Sequence, residues 1–280
     1  AWWPPLAAFL VCLLSMRLLV AWAPGLGLLD LPQGRKDHAA PTPVVGGLAM
    51  LAACVVALPL ALPLSQSILA LAAAAVLVVA VGVYDDRHDV RWYWRVGWQV
   101  VAGLIIATWG GARVEELGAT FGLQSLNLGI WSIPFTVFAT VGLINAMNMI
   151  DGADGLAGSL ALAALAMLAA AAVYAGNAVL AERVLVVCGA LAAFLVWNLR
   201  WPGRPRARAF MGDAGSGLLG LVIAWVAFRL TQNAGHPVNS VLALWLLPIP
   251  VMDCLVLIVR RLQQGRSPFA AGRDHIHHMM

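Results

Sequence analysis

Long apolar runs occupy most of this 280-residue chain and constrain its fold more than any other feature. Hydrophobic residues make up 62% of it and charged residues 11%, compared with about 25% charged residues in soluble domains. This composition excludes a soluble enzyme, a disordered chain and a disulfide scaffold, and the runs are too long for the alternating strands of an outer-membrane barrel. We therefore expect an all-α, polytopic integral membrane protein. Windows of roughly 20 apolar residues predict about nine spans, at residues 6–22, 45–63, 67–84, 92–109, 131–149, 158–175, 178–198, 214–232 and 240–259.

The basic residues are distributed unevenly among the loops between these spans. The loops after spans one, three, seven and nine hold 13 of the 17 lysines and arginines, and the loop after span five holds none. The positive-inside rule places these loops in the cytoplasm and the N-terminus outside. The net charge of +4 then reflects topology and contact with anionic lipid, and it does not indicate a nucleic-acid partner.

Most other polar residues also lie on the predicted cytoplasmic side, which favours a site for a soluble cytoplasmic substrate. On the opposite side, residues 110–130 form the only sizeable loop, and their alternating apolar residues predict a small hairpin. The first residue is Ala1 and the last is Met280 in a polar stretch, so we expect further residues before and after them.

Two adjacent carboxylates, Asp85 and Asp86, end the third span. Such a pair at a membrane boundary is costly unless a positive charge joins it. One interpretation is that they bind a divalent ion or that one acts as a base. The other is an acidic turn that is neutralised by Arg87 and Arg91.

A second polar cluster follows the fifth span. Asn145, Asn148 and Asp151 are spaced by three residues, so on a helical end they would line one face. Gly152 and Gly155 permit a sharp turn there. Asp151 and Asp154, the cluster's two carboxylates, offer hard oxygen ligands for a metal ion, or hydrogen-bond acceptors for ribose and base groups. The alternative interpretation is that these residues only form turns and helix caps.

A third cluster, residues 210–217, directly precedes the eighth span and has the sequence Phe-Met-Gly-Asp-Ala-Gly-Ser-Gly. Asp213 is expected at a helix N-terminus, where glycines expose backbone N–H groups. This arrangement suits phosphate oxygens beside a carboxylate that holds Mg²⁺. The alternative is that Asp213 is an N-cap and that the glycines pack helices together.

Two further segments carry basic and imidazole groups. The first, residues 35–47, contains Arg35 and Lys36, which either set the topology or hold an anion. The second, residues 273–278, has three histidines in four positions. Zinc-type spacings are absent, and these imidazoles with Arg273 suit a diphosphate equally well; the edge of a purification tag is a weaker explanation.

Together, the carboxylates, the glycine-rich helix start and the His/Arg set converge on one membrane face. The sequence has no P-loop, GxGxxG motif or nucleophile elbow. The chemistry that fits best is Mg²⁺-assisted phosphoryl transfer between a soluble nucleotide diphosphate and a lipid-borne acceptor.

Five segments also carry a family resemblance over residues 30–278. They are Arg35-Lys36-x-His38-x-x-Pro41-Thr42-Pro43-x-x-Gly46-Gly47, Asp85-Asp86, Asn145-x-x-Asn148-x-x-Asp151-Gly-x-Asp154-Gly155, Asn198 before Phe210-Met211-Gly212-Asp213, and His275-Ile-His277-His278. With these segments the chain resembles the polyprenyl-phosphate N-acetylhexosamine-1-phosphate transferases. The His-Ile-His-His form is more similar to the hexosamine-phosphate branch than to the muramoyl-pentapeptide branch. Val44 stands where the family often has Arg, and the family usually has ten or eleven spans.

The resemblance implies that the protein transfers N-acetylglucosamine-1-phosphate, or a related hexosamine phosphate, from a UDP-sugar to undecaprenyl phosphate. UMP would be released, and the product would start cell-envelope glycan synthesis of the O-antigen type. The cofactor implied is Mg²⁺, with Mn²⁺ as a substitute. The implied location is the bacterial inner membrane, with a cytoplasmic active site. Apart from the resemblance, the apolar faces outnumber the needs of one bundle, which favours a homodimer.

The resemblance also implies roles for particular residues within one transmembrane catalytic domain, residues 1–280. Loops 24–44, 85–92, 145–157, 199–213 and 260–280 would form its active site. The predicted catalytic residues are Asp85, Asp86, Asp151, Asp154, His275, His277 and His278. The predicted substrate-binding residues are Lys36, Thr42, Asn145, Asn148, Asn198, Phe210 and Arg273. The predicted metal ligands are Asp213 and Asp86.

Two other functions remain open at this stage. Phospho-N-acetylmuramoyl-pentapeptide transfer uses the same kind of site with a different donor. An ion-coupled transporter belongs to another class, but it would place ionisable residues near the bilayer midplane, often with internal repeats of opposite topology. Few ionisable residues lie within the predicted spans, and no repeat is evident.

Overall fold

The computed structural model describes residues 3–31, 41–61, 63–118, 126–232, 238 and 248–264, which are almost entirely helical. The helices in these ranges are α1 (Trp3–Leu26), α2 (Gly46–Ala61), α3 (Gln66–His88), α4 (Trp92–Leu104), α5 (Ser132–Ile150), α6 (Leu156–Tyr174), α7 (Ala178–Asn198), α8 (Gly212–Thr231) and α9 (Pro248–Gln263). The only sheet in the described residues is a two-residue antiparallel pairing of β1 (Leu29–Asp30) with β2 (Thr42–Pro43). The prediction of an all-α protein is confirmed.

Six of these helices are long and apolar enough to cross a membrane: α1, α3, α5 with the 3₁₀ turn before it, α6, α7 and α8. Helix α2 is apolar but shorter. Helix α4 continues as a π-turn, Ile105–Trp109, so the two together match the predicted span 92–109. The described part of α9 overlaps the ninth predicted span. The chain is a multi-pass membrane protein, while the total number of spans and the side of the N-terminus stay predictions.

Successive helices bring the predicted polar clusters to one end of the bundle. Hydrogen bonds join the end of α3 to the start of α8, and the start of α6 to the end of α7. The backbone of Gly46 at the start of α2 bonds to the Phe210 carbonyl before α8. We call this the polar end, made of residues 41–47, 85–95, 145–155 and 198–216.

Helix α8 forms the centre of the bundle, and nearly all of it from Ala214 to Leu230 is buried. Glycines on its neighbours let their backbones come close to it. A side chain at Gly47 of α2 would collide with the backbone at Gly215, and one at Gly82 of α3 would collide with the backbone at Ala214. Small residues at helix contacts permit this close packing in membranes. Helix packing by glycines, one of the two interpretations of residues 210–217, is therefore confirmed for Gly215.

The opposite end carries the predicted outer hairpin. Glu116 and Asn127 form an antiparallel bridge, and the Leu117 N–H donates to the Leu126 carbonyl at 3.0 Å. The Gln232 side chain accepts from the Glu116 N–H at 3.0 Å and so ties this loop to the end of α8. The hairpin is confirmed in the described residues, and its tip at 119–125 lies outside them.

Candidate functional site

Side chains from four helices meet at the polar end in what we call the acidic cluster: Asp85 and Asp86 of α3, Arg95 of α4, Asn148 of α5 and Asp213 of α8. Arg95 Nη1 donates to Asp85 Oδ2 at 2.8 Å and to Asp213 Oδ2 at 2.6 Å. Asp85 is buried, and its Oδ1 also accepts from the Val90 N–H at 2.6 Å. A single guanidinium nitrogen therefore holds two carboxylates, Asp85 and Asp213, that are 128 residues apart in sequence.

Asn148 completes the hydrogen bonding of Asp213. Its Nδ2 donates to Asp213 Oδ1 and lies 3.3 Å from Ser216 Oγ. Both carboxylate oxygens of Asp213 thus accept hydrogen bonds from side chains of other helices. Asn148 and Asp213 are predicted to belong to one site, and the structure brings them into contact.

Asp86 acts as the cap of α8. Its Oδ1 accepts from the Asp213 N–H at 2.9 Å, and its Oδ2 accepts from the Ala214 N–H at 3.4 Å. A carboxylate at this position satisfies orphan donors and complements the helix dipole, typically by about 1 kcal/mol. Asp86 therefore already accepts from N–H groups that were expected to bind phosphate, and phosphate binding there stays a prediction.

The cation that joins the acidic pair is also different from the expected ones. In one of the two interpretations Arg87 and Arg91 neutralise the turn, but Arg91 donates to the Tyr93 hydroxyl at 3.0 Å, and Arg95 contacts Asp85. In the sequence, Arg95 counts only as one of the basic residues that set the topology. A charge one turn inside an apolar helix is a signal of function by default, and that rule would have found it.

A groove leads from the acidic cluster into the bundle between α3, α4, α5 and α8. Its volume is about 430 Å³ including its open mouth. Asp85, Arg95 and Asp213 line its head, while Val78 and Ile144 line its wall further inside. Val78 lies two helical turns from Asp85, or about 10 Å at 1.5 Å per residue. The groove is therefore charged at one end and apolar at the other.

A pair of amides separates the two parts of this groove. Asn145 Nδ2 donates to Gln99 Oε1 at 2.6 Å and to the Val141 carbonyl at 2.8 Å. Both side chains line the groove one turn inside Arg95 and Asn148. Gln99 is a second groove residue that sequence reasoning missed, since a lone glutamine in an apolar span carries no motif.

The loop after α5 forms a second polar group beside the acidic cluster. Asp154 Oδ2 accepts from Arg200 Nε at 2.9 Å and from the Ala207 N–H at 3.2 Å. This contact ties the loop after α5 to the loop between α7 and α8. Asp154, predicted to be catalytic, thus has a structural partner, and its catalytic role stays a prediction.

Asp151 follows directly after α5 and is half-buried. Burial, together with the nearby carboxylates of Asp213 and Asp154, raises the pKa of Asp151 to about 7. Asp213 belongs to the acidic cluster and Asp154 to the loop after α5, so the pKa of Asp151 is affected by carboxylates of both. A cation or a hydrogen-bond donor in this region would favour the ionised form of Asp151.

Asn198 is buried and bonds only to backbone in the contacts described. Its Oδ1 accepts from the Gly155 N–H at 2.9 Å, and its Nδ2 donates to the Ala209 carbonyl at 3.0 Å. Gly155 has φ +79°, so the predicted turn at this glycine is confirmed. The structure gives Asn198 the role of joining two loops of the site, and direct substrate binding by it stays a prediction.

Replacing Asn198 by alanine is expected to lower the free energy of unfolding by about 2–3 kcal/mol, because two buried backbone groups lose their partners. The measurement is thermal or denaturant unfolding in detergent. Asn127→Ala is the matched control, since Asn127 is exposed and its Oδ1 accepts from Gly129 N–H at 2.9 Å. Equal losses in the two variants would contradict the joining role.

The segment around Thr42 lies next to the start of α8. Thr42 is buried in β2, Phe210 N–H donates to the Pro43 carbonyl at 2.8 Å, and Val44 pairs with Phe210. Two motifs that are distant in sequence are therefore neighbours. The predicted site residues Lys36, Arg273, His275, His277 and His278 lie outside the described residues, as does His38.

The fit of a divalent cation depends on the carboxylates of the acidic cluster. Hard carboxylate and amide oxygens from three helices are the donors that Mg²⁺ prefers. Within the described residues, however, no three His, Cys, Asp or Glu side chains are grouped as a metal site. The chemistry of these donors fits Mg²⁺. In the structure, however, the same carboxylates accept hydrogen bonds from protein groups: Asp85 and Asp213 from Arg95, and Asp86 from the backbone of α8.

Fold and site together define a polytopic membrane protein with an acidic cluster at the head of a groove between helices. The sequence model of glycosyl transferase family 4 matches residues 68–231, which include α3 to α8. The chain belongs to this family and is therefore an enzyme.

Relatives with curated names support the same assignment. The chain is 36% identical to the undecaprenyl-phosphate alpha-N-acetylglucosaminyl 1-phosphate transferase of Escherichia coli O157:H7 over 255 residues, which cover 91% of this chain and 69% of that protein. It is 38% identical to the Haemophilus influenzae protein of that name over 280 residues, covering 98% and 76%. The Yersinia pestis protein of that name is 36% identical, covering 91% and 70%.

Proposed function

We propose that this protein transfers N-acetylglucosamine-1-phosphate from UDP-N-acetylglucosamine to undecaprenyl phosphate and releases UMP. The observation that carries the proposal is the groove, whose charged head suits phosphates and whose apolar wall suits a lipid. The names of the relatives support the same donor and acceptor.

In the proposed reaction an oxygen of the lipid phosphate attacks the phosphorus that bears the sugar. The bond from that phosphorus to the oxygen bridging it to the nucleotide phosphate breaks, and that oxygen leaves with UMP. The second pKa of a phosphate monoester is about 6, so the acceptor is largely ionised at neutral pH and needs no strong base. Asp85 would orient the acceptor phosphate or take its remaining proton, and Asn148 would keep Asp213 in place. Positioning and charge neutralisation would then supply most of the rate.

Charge balance supports a metal cofactor. The acidic cluster holds three carboxylates and one guanidinium, and both substrates add negative phosphate groups. A divalent cation, proposed to be Mg²⁺ with Mn²⁺ as a substitute, would offset the charge that builds on the leaving UMP. Asp213 is its proposed ligand, with Asp85 or Asp86 beside it.

Residues near the end of α5 and in the loop after it would hold the nucleotide. Asp151, Asp154 and Asn145 are proposed to face the uridine and ribose, and Phe210 to stack on the uracil. This site would face the cytoplasm from the inner membrane, in agreement with the basic loops at the polar end. A homodimer is also proposed.

The test is UMP release by purified protein supplied with undecaprenyl phosphate and Mg²⁺. UDP-N-acetylglucosamine, UDP-N-acetylgalactosamine and UDP-N-acetylmuramoyl-pentapeptide are compared side by side. We expect release from the first donor, and loss of at least 100-fold when EDTA removes the metal, since charge-stabilising groups commonly contribute about 10²–10³. Release only from the pentapeptide donor would replace the proposed donor, and release from none would reject the transferase function.

A further inference from the structure

One arginine nitrogen holds two carboxylates of the acidic cluster together. Arg95 Nη1 donates to Asp85 and to Asp213, whose side chains are 4% and 29% exposed, while that of Arg95 is 34% exposed. Two carboxylates this close repel each other when both are ionised, and a nearby positive charge offsets this repulsion. Arg95 supplies that charge in the structure.

Arg95 contacts carboxylates that are themselves proposed to hold the metal. The carboxylate oxygens Asp85 Oδ2 and Asp213 Oδ2 converge on it. The other oxygen of Asp213 accepts from Asn148, and both oxygens of Asp86 face the backbone of α8. A divalent ion held by Asp85 and Asp213 would therefore compete with Arg95 for the two Oδ2 atoms that now accept from its guanidinium.

We propose that Arg95 is an internal counter-ion that competes with the divalent cation, so that metal binding displaces its guanidinium from Asp213. This inference rests on the metal requirement in the proposed function and assigns Arg95 a positioning role. Without metal, Arg95 keeps the two carboxylates together across α3 and α8. With metal, the same contact has to break, which lowers the apparent metal affinity.

The proposal predicts opposite effects on two measured quantities. Replacing Arg95 by glutamine removes the competing charge, and the dissociation constant for Mn²⁺ is expected to fall about tenfold, equivalent to about 1.4 kcal/mol. The same change leaves buried Asp85 facing Asp213 without a cation, so the melting temperature of the metal-free protein is expected to fall by about 5 °C. A residue that simply supports the metal site would weaken binding instead.

The experiment compares Arg95→Gln and Arg95→Lys with wild type in detergent. Free Mn²⁺ is measured by electron paramagnetic resonance, Mg²⁺ serves as the competitor, and melting temperatures are recorded with and without metal. Lysine keeps the charge but lacks the planar fork, so its affinity is expected to rise less, by about threefold. Arg91→Gln is the matched control: it removes the same charge from the residue just before α4, where Arg91 bonds to Tyr93 rather than to the acidic cluster.

Tighter Mn²⁺ binding by Arg95→Gln, with Arg91→Gln unchanged, supports the proposal. If Arg95→Gln does not fold, tighter binding by Arg95→Lys supports it equally. The proposal is overturned if neither Arg95 variant binds Mn²⁺ more tightly than wild type does. It is also overturned if the wild type binds no Mn²⁺. Metal binding is measured separately from UMP release. If the variants bind Mn²⁺ more tightly but the wild type releases no UMP, the proposed function is rejected while the role of Arg95 stands.

Discussion

Replacing Asp213 by asparagine is expected to lower the rate of UMP release about 1,000-fold, with the protein still folded. Both carboxylate oxygens of Asp213 accept hydrogen bonds, from Arg95 and from Asn148. Asparagine has the same shape but only one acceptor oxygen, so its amide NH₂ must face one of these donors. The variant also loses the charge proposed to hold the metal. The rate is measured with saturating substrates and Mg²⁺.

Asp89→Asn provides the matched control for this experiment. Asp89 is exposed and ends α3 with φ +51°, a left-handed conformation that asparagine adopts as readily as aspartate. This variant removes a similar charge three residues from Asp86, so a general electrostatic effect would appear in both variants. We expect its rate to stay within about twofold of wild type, as for surface changes within about 0.5 kcal/mol. A rate for Asp213→Asn within tenfold of wild type would remove Asp213 from the proposed mechanism.

Replacing Gly212 by alanine is expected to lower the free energy of unfolding by about 3 kcal/mol, the sum of backbone strain and overpacking. Gly212 has φ +70°, and an added Cβ would meet the side chains of Val44 and Asp86. Asp86 would then be pushed from the N–H groups of α8 that it caps. We expect UMP release to fall as well, because Asp213 is the next residue. Stability is measured by thermal or denaturant unfolding in detergent.

Gly111→Ala separates the two causes of this loss. Gly111 has a similar φ of +62°, but no atom lies within 4 Å of an added Cβ. Because the added methyl group meets no atom, this variant reports the backbone strain alone, at about 1–2 kcal/mol. Because Gly111 lies at the opposite end of the bundle, we expect no loss of activity. Equal destabilisation by the two variants would show that the close approach of Asp86 to Gly212 does not contribute to the loss of stability.

Several features of the site could be predicted from the sequence because they depend on local patterns. The pair Asp85-Asp86 was placed at a helix end, and Asp213 in the first turn of a helix, and the structure has both there. The turn at Gly155 was also predicted from its residue type. The roles assigned to these residues as catalytic groups and metal ligands remain predictions.

Other features depend on contacts between helices, and no local pattern contains them. Asp86 caps α8, a helix that begins more than 120 residues later, and this contact occupies N–H groups that were expected to bind phosphate. Asn198 was expected to bind substrate, but its amide joins the two loops at Gly155 and Ala209. These partners are set by how α3, α6, α7 and α8 meet.

The sequence by itself determined the class of protein, the helices and the end of the bundle where the polar clusters lie, because hydropathy and loop charge are local properties. Only the tertiary structure decided which charges neutralise each other. Arg95 reads in the sequence as one more basic residue near a span boundary, yet it lies between Asp85 and Asp213. The physical reason is that buried carboxylates require a cation within a few ångströms, and helix packing determines which one can reach them.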